Sequence, residues 1–151
     1  MVYLPRLGFE LSLPGEFSDF VYYGRGPQEN YCDMCHGSRM GRYQSSAEQE
    51  YVPYIRPQEH GNHTAVRSLT IGDLTVESAQ DFECNVSRYS AEALTRARHT
   101  DELEADGNTH VRIDYRVSGV GSAACGPALL EPYRLSEKQI RFQFRLRKKS
   151  C

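Results

Sequence analysis

Residues Arg67–Ser78 read RSLTIGDLTVES, and this stretch decides the fold. Leu69, Ile71, Leu74 and Val76 alternate with polar residues on either side of Gly72-Asp73. Such alternation marks half-buried strands, and the two-residue Gly-Asp step supplies the positive φ that a tight hairpin needs. Paired across that turn, Ile71 faces Leu74 and Leu69 faces Val76, so all four apolar side chains share one face.

The same period of two recurs on both sides of this hairpin. Leu7, Phe9, Leu11 and Leu13 alternate with Gly8, Glu10 and Ser12 before a Pro14-Gly15 turn, and Phe20–Tyr23 is a second β-prone run. Phe82, Cys84 and Val86 make another strand, with Cys84 facing inward. An Asp106-Gly107 turn leads into Val111, Ile113, Tyr115 and Val117, and Ile140, Phe142, Phe144 and Leu146 form the last alternating run. One helix is expected, capped by Ser90 and running through Arg98. Six or more strands against one short helix predict an all-β chain, an antiparallel β-sandwich. Between Gly24 and Ala65 periodicity is poor, broken only by Tyr51–Ile55 (YVPYI). A loop region of that length in a compact domain is functional or packed against something else.

Length and composition narrow the function. The 151 residues suit a single domain spanning 1–151. A net charge of −2 gives no reason to expect nucleic acid or an anionic membrane, and no apolar run approaches the ~20 residues of a bilayer span. The first residues carry no basic segment followed by an apolar one, so no secretory signal is visible. Five cysteines at irregular spacing do not form a disulfide framework. These features favour a reducing, cytoplasmic setting, with the native N-terminus expected upstream of Met1.

Several motifs carry potential chemistry. Cys32-Asp33-Met34-Cys35-His36 has the C-x-x-C-H spacing of haem attachment, yet no distal ligand or export signal accompanies it. A redox dithiol would sit between a strand and a helix, and a zinc site would need two further ligands at structural spacing. The simpler reading is two small residues filling a loop, with no metal and no cofactor. The Arg141, Arg145, Arg147, Lys148 and Lys149 set reads as a solvated strand face. Glu48, Glu50 and Glu59 could suggest glycosidase chemistry, but that requires two carboxylates facing each other across a sugar, and nothing in the sequence pairs these.

Several segments, taken in order, are more specific than any of these motifs. They are YYGRGPQENYCD (22–33), VPYIRPQEHGNHTAVR (52–67), FECNVSRYSAEALTRARHTDEL (82–103), IDYRVSGVGSAACGP (113–127) and YRL (133–135). Together they resemble the C-terminal β-sandwich domain of bacterial β-galactosidases, multidomain enzymes of glycoside hydrolase family two. The resemblance runs from Leu4 to about Leu146. It implies the C-terminal half of a large, mutarotase-like supersandwich. It also implies a parent enzyme whose two catalytic glutamates lie in a separate barrel, so no catalytic residue is expected here and the chain alone should be inactive.

The resemblance further assigns roles. A loop of the family's domain reaches the substrate pocket with Trp or Cys, which puts Cys125 at the pocket lip. Arg25, Asn30, Gln58, Glu59 and Asn62 are expected as buried hydrogen-bonding braces of the signature loops. The implied partners are the remaining domains of the parent β-galactosidase and, indirectly, its galactoside. Half a supersandwich should also leave an open edge, from which self-association is expected. The chain departs from relatives at Tyr22 and Ser68, where Trp is common, and at Met34, where Arg is common. Two rival readings rest on other residues: a free-standing carbohydrate-binding module using the ten tyrosines, and a mutarotase-like epimerase using His60 and Glu59.

Overall fold

A computed structural model describes residues 3–121 and 127–149 of the chain. The Arg67–Ser78 hairpin sits in the middle of its sheet. Strand β4 (Asn62–Ile71) turns at Gly72-Asp73 into β5 (Leu74–Ser87), with Ile71 opposite Leu74 and Leu69 opposite Val76 as the sequence implies. Gly72 has φ +56, and a Cβ there would meet the ring of Phe17, so both backbone and packing require glycine.

The other strands are β1 (Arg6–Pro14), β2 (Asp19–Gly26), β3 (Arg39–Ser46), β6 (Asn108–Val117) and β7 (Arg145–Lys148). The sheet order is β1-β6-β5-β4-β2-β3, with β7 on a second stretch of β5, and every pairing is antiparallel. Strand β5 manages three partners because β6 uses Glu83–Ser87 while β7 uses Leu74–Glu77. Among the described residues the one α-helix, α1 (Ala91–Arg96), is capped by Ser90, whose Oγ accepts from Ala93 N at 3.1 Å. The all-β class stands, and the arrangement is consistent with a sandwich.

Three boundaries differ from the sequence reading. Strand β3 lies inside the region read as loop; it is an outer strand with mixed burial, so it shows no apolar alternation. The helix stops at Arg96, because Ala97 is already extended at φ −68, ψ 133. The last strand is four residues long and begins at Arg145. Phe142 and Phe144, read as part of it, pack onto the core instead.

In-register neighbours share a face of a sheet. One face joins Phe9, Ile113 and Cys84, then Leu11, Val111 and Val86, and, across β4 and β2, Leu69 with Tyr22 and Ile71 with Phe20. This is the hydrophobic core, and all but the two β1 residues are buried to within a few per cent. The opposite face, across β1, β6, β5 and β4, aligns Glu10, Arg112, Asn85 and Asn62, with Asp114 next to Glu83 one pair along. Those groups are polar, yet Arg112, Asn85, Asn62, Asp114 and Glu83 are all buried. A buried polar sheet face needs a polar cover, and the long loops provide it.

Candidate functional site

Asn30 lies at the centre of that cover, with no exposed surface. Its backbone N–H donates to Asn62 O at 2.7 Å, and its side-chain amide donates to Arg25 O and Gln28 O, each at 3.0 Å. Its Oδ1 accepts from Thr64 N at 2.9 Å and Thr64 Oγ1 at 2.6 Å. Asn62 answers from β4: its Nδ2 donates to Asn30 O at 3.0 Å and to Glu83 Oε2 at 2.7 Å. The two signature loops are therefore tied to each other and to the sheet through two asparagine amides. Glu29 adds a further tie by accepting Gly61 N–H at 2.7 Å and the Tyr54 hydroxyl. That bond to Glu29 pushes the Tyr54 phenol up to about 12.

A chain of charges runs alongside. Arg6 on β1 donates to Glu59 at 2.7 Å and to Asp114 at 2.5 Å. Arg112 uses every arm of its guanidinium, reaching Glu10 at 2.7 Å, Asn85 Oδ1 at 2.7 Å and Tyr89 O at 2.9 Å. Burial works against Glu10, but Arg112 and His110 overcome it and hold the carboxyl below its ordinary value. Burial wins at Asp114, which is raised despite Arg6. Glu83 is pushed up to about 7 by burial, against the opposing hydrogen bond from Asn62.

The expected bracing residues occupy different parts of this network. Asn30 and Asn62 are fully buried, and Glu59 is half-buried in its ion pair with Arg6. Arg25 participates through its carbonyl, which faces both Asn30 Nδ2 and His63 Nδ1. Gln58 is exposed and offers only its carbonyl to His60, at 2.9 Å; the expectation of a buried side chain is corrected there, because the chain turns that residue outward before His60 enters the interior. Cys125 lies outside the described residues. The stem leading to it is visible, however: Asp33 accepts Val120 N–H at 3.2 Å and Gly121 N–H at 2.9 Å.

No pair of carboxylates is free to act on a bond among the described residues singled out from the sequence. Glu48 is bound by Ser18 and Arg88, and the Ser18 bond leads in holding it near 2. Glu50 meets His63 at 3.0 Å, and Glu59 meets Arg6. His60 is buried edge-on to Tyr51 and makes no hydrogen bond to Glu59, so an epimerase pair is not assembled. Tyr22 and Tyr31 are interior residues rather than sugar platforms. The Cys32 thiol packs towards Val117 O at 3.6 Å and Tyr133 O at 3.7 Å, and burial raises it to about 11. That places the C-x-x-C turn against the exit of β6.

The sequence reading missed Arg6, Glu10, Glu83, Arg112 and Asp114. Alternation on β6 puts Val111, Ile113, Tyr115 and Val117 on one face and gives the intervening residues no role. A usable signal was present: His110, Arg112, Asp114 and Arg116 mix both signs on one strand, which suits pairing better than solvation.

The family model described as β-galactosidase small chain matches residues 1–146. The chain is 38% identical over 144 residues to a β-galactosidase of Actinobacillus pleuropneumoniae, covering 95% of this chain and 14% of that protein. It is 38% identical over 149 residues to one from Staphylococcus xylosus, covering 96% and 15%. Against one from Kluyveromyces lactis it is 36% identical over 148 residues, covering 94% and 14%. The chain thus spans a small part of the length of the curated relatives it matches.

Proposed function

The chain belongs to the β-galactosidase small-chain family, and on that footing we propose that it is a non-catalytic domain of a β-galactosidase that braces the enzyme and lines its sugar pocket. In this reading residues 1–151 are the C-terminal half of the parent's C-terminal sandwich. Two carboxylates elsewhere in the parent cleave terminal β-galactosides with retention, and Cys125 stands at the pocket lip. Arg25, Asn30, Glu59 and Asn62 keep the loops around that lip in shape.

The observation that carries this reading is the reciprocal Asn30–Asn62 tie. It spends the two signature segments, GRGPQEN and PQEHGN, on holding loops rather than on presenting reactive groups. Buried amides bonded across two loops rigidify what they join. The partner is the rest of the parent. The outer strand β1, with Phe9 57% exposed and its far edge unpaired among the described residues, supports a second surface for that partner or for another copy of this chain.

The test is a chimera in which this chain replaces the matching segment of the Staphylococcus xylosus β-galactosidase. The chimera should hydrolyse a chromogenic galactoside. A folded, assembled chimera with no activity, whose catalytic barrel is intact, would count against the assignment.

A further inference from the structure

The C-x-x-C turn has no role in the proposed function, yet its backbone is fixed on both sides. Tyr31 N–H donates to Met34 O at 3.1 Å and Met34 N–H to Tyr31 O at 2.8 Å, which puts Cys32-Asp33 at the tip of a closed turn. Just beyond it, Cys35 O accepts Ser38 N–H at 3.1 Å. Neither thiol belongs to the core: both are half-buried, whereas Cys84 is enclosed completely.

Cys32 and Cys35 line one cavity of about 350 Å³, together with Arg25, Glu83, Arg116 and Tyr133. The Cys35 thiol points back along the turn towards Cys32 O, at 3.9 Å. Adding the C=O and Cα–C bonds leaves its sulfur no more than about 7 Å from Cys32 Cα. Disulfides bridge Cα atoms about 4.4–6.8 Å apart, so two cysteines three positions apart in one closed turn are within reach of closure. The two thiols differ in setting. Cys32 Sγ lies against Val117 O at 3.6 Å and Tyr133 O at 3.7 Å, and burial, with Glu83 and Asp33 adding to it, raises the thiol to about 11. Cys35 also borders a second, open groove beside Glu29, Asp33 and His36, so solvent reaches it from two sides.

We propose that Cys32 and Cys35 form a dithiol that a small organic disulfide oxidises, with Cys35 as the attacking thiol and Cys32 as the resolving one. The Cys35 thiolate attacks one sulfur of the small disulfide, that S–S bond breaks, and the first small thiolate leaves. Cys32, deprotonated in turn, attacks Cys35 Sγ, forms the protein disulfide and expels the second. The two protein thiols are oxidised by two electrons, the small disulfide is reduced, and the two protons end on the two released thiols. Arg25 and Arg116 on the same wall favour the thiolates. An oxidised Cys32 has no S–H to donate, so the turn loses its hold on Val117 O and Tyr133 O. The step needs no other domain and no sugar.

Trypsin supplies a clean readout, because it releases Gly26–Arg39 with both cysteines and no others, and Ser68–Arg88 with Cys84. The reduced chain is held with glutathione disulfide at about pH 8, then alkylated in denaturant and mapped by mass spectrometry. Gly26–Arg39 should come out unalkylated and lighter by two hydrogens, while Ser68–Arg88 is alkylated. In C32S the same peptide should carry one glutathione on Cys35, formed at least about tenfold faster than on Cys32 in C35S. In the native chain, a Gly26–Arg39 peptide that stays alkylated at both thiols, carries two glutathiones, or is joined to the peptide of Cys125 or Cys151 overturns the dithiol. Equal rates in C32S and C35S overturn the assigned order of attack. The native map decides the dithiol by itself should either variant not fold.

Discussion

Glu83 and Asn62 meet at 2.7 Å beneath the sheet, carboxylate to amide, with 6% and 0% of their surfaces exposed. The pair couples the signature loops to β5, and it makes the domain sensitive to pH. Glu83 holds its proton up to about 7, against an ordinary value of 4.5. Between those values the folded state binds more protons than the unfolded one, so stability falls as pH rises through this window. A shift of that size corresponds to about 3 kcal/mol as an order of magnitude. Glu83→Gln keeps an acceptor for Asn62 and carries no charge. Its stability advantage over the native chain should therefore grow between pH 5 and pH 8, read from urea midpoints. A difference independent of pH would contradict the assignment.

Asn30→Ala removes four side-chain hydrogen bonds at once, two from Thr64 and two to the carbonyls of Arg25 and Gln28. Buried groups left without partners cost about 1–3 kcal/mol each, and partial relaxation should leave a net loss of roughly 2–4 kcal/mol. Gln58→Ala, at an exposed side chain, should stay within about 0.5 kcal/mol. Equal effects in the two variants would show that the signature loops are not held as described.

Gly8 sits at the irregularity of the β1–β6 register, where an added Cβ would fall 2.5 Å from Asp114 Cα. Gly8→Ala must push β1 away from β6 and loosen the Arg6–Asp114 pair. A loss of about 2–3 kcal/mol is expected. Gly37, with nothing within 4 Å of its would-be Cβ, is the control and should tolerate alanine within about 0.5 kcal/mol. Thermal melts of the two variants decide it.

The proposed pairing of the β1 edge with another copy would make association concentration-dependent. Phe9 is exposed at 57% and meets the ring of Phe144 at 5.3 Å. Phe9→Lys places a charge on that edge, which discourages strand-to-strand pairing. Light scattering should find the native chain growing in mass with concentration and the variant less so. A native chain that stays monomeric throughout would remove self-association from the account.

Much of the sheet was legible because its apolar residues alternate strictly. The register of the β4–β5 hairpin followed directly from Leu69, Ile71, Leu74 and Val76. Strand β3 was not legible, since an outer strand reading RMGRYQSS has little apolar surface to bury. The last strand was misplaced because Phe142 and Phe144 carry the period of a strand while serving as cover for the core. At the site, Asn30 and Asn62 could be named from the family signature, but their charged neighbours could not. Arg112 and Asp114 are polar residues on a strand, and alternation alone assigns such residues to water. Only the loops folding across them reveal that this face is interior.

The central claim is that this domain shapes a sugar site whose reactive carboxylates lie outside it. Release of a chromophore from an aryl β-galactoside by the purified chain alone is the direct measurement. The account predicts a rate indistinguishable from buffer at every pH tried. Turnover that follows the chain through purification, with contaminating enzyme excluded, would contradict it.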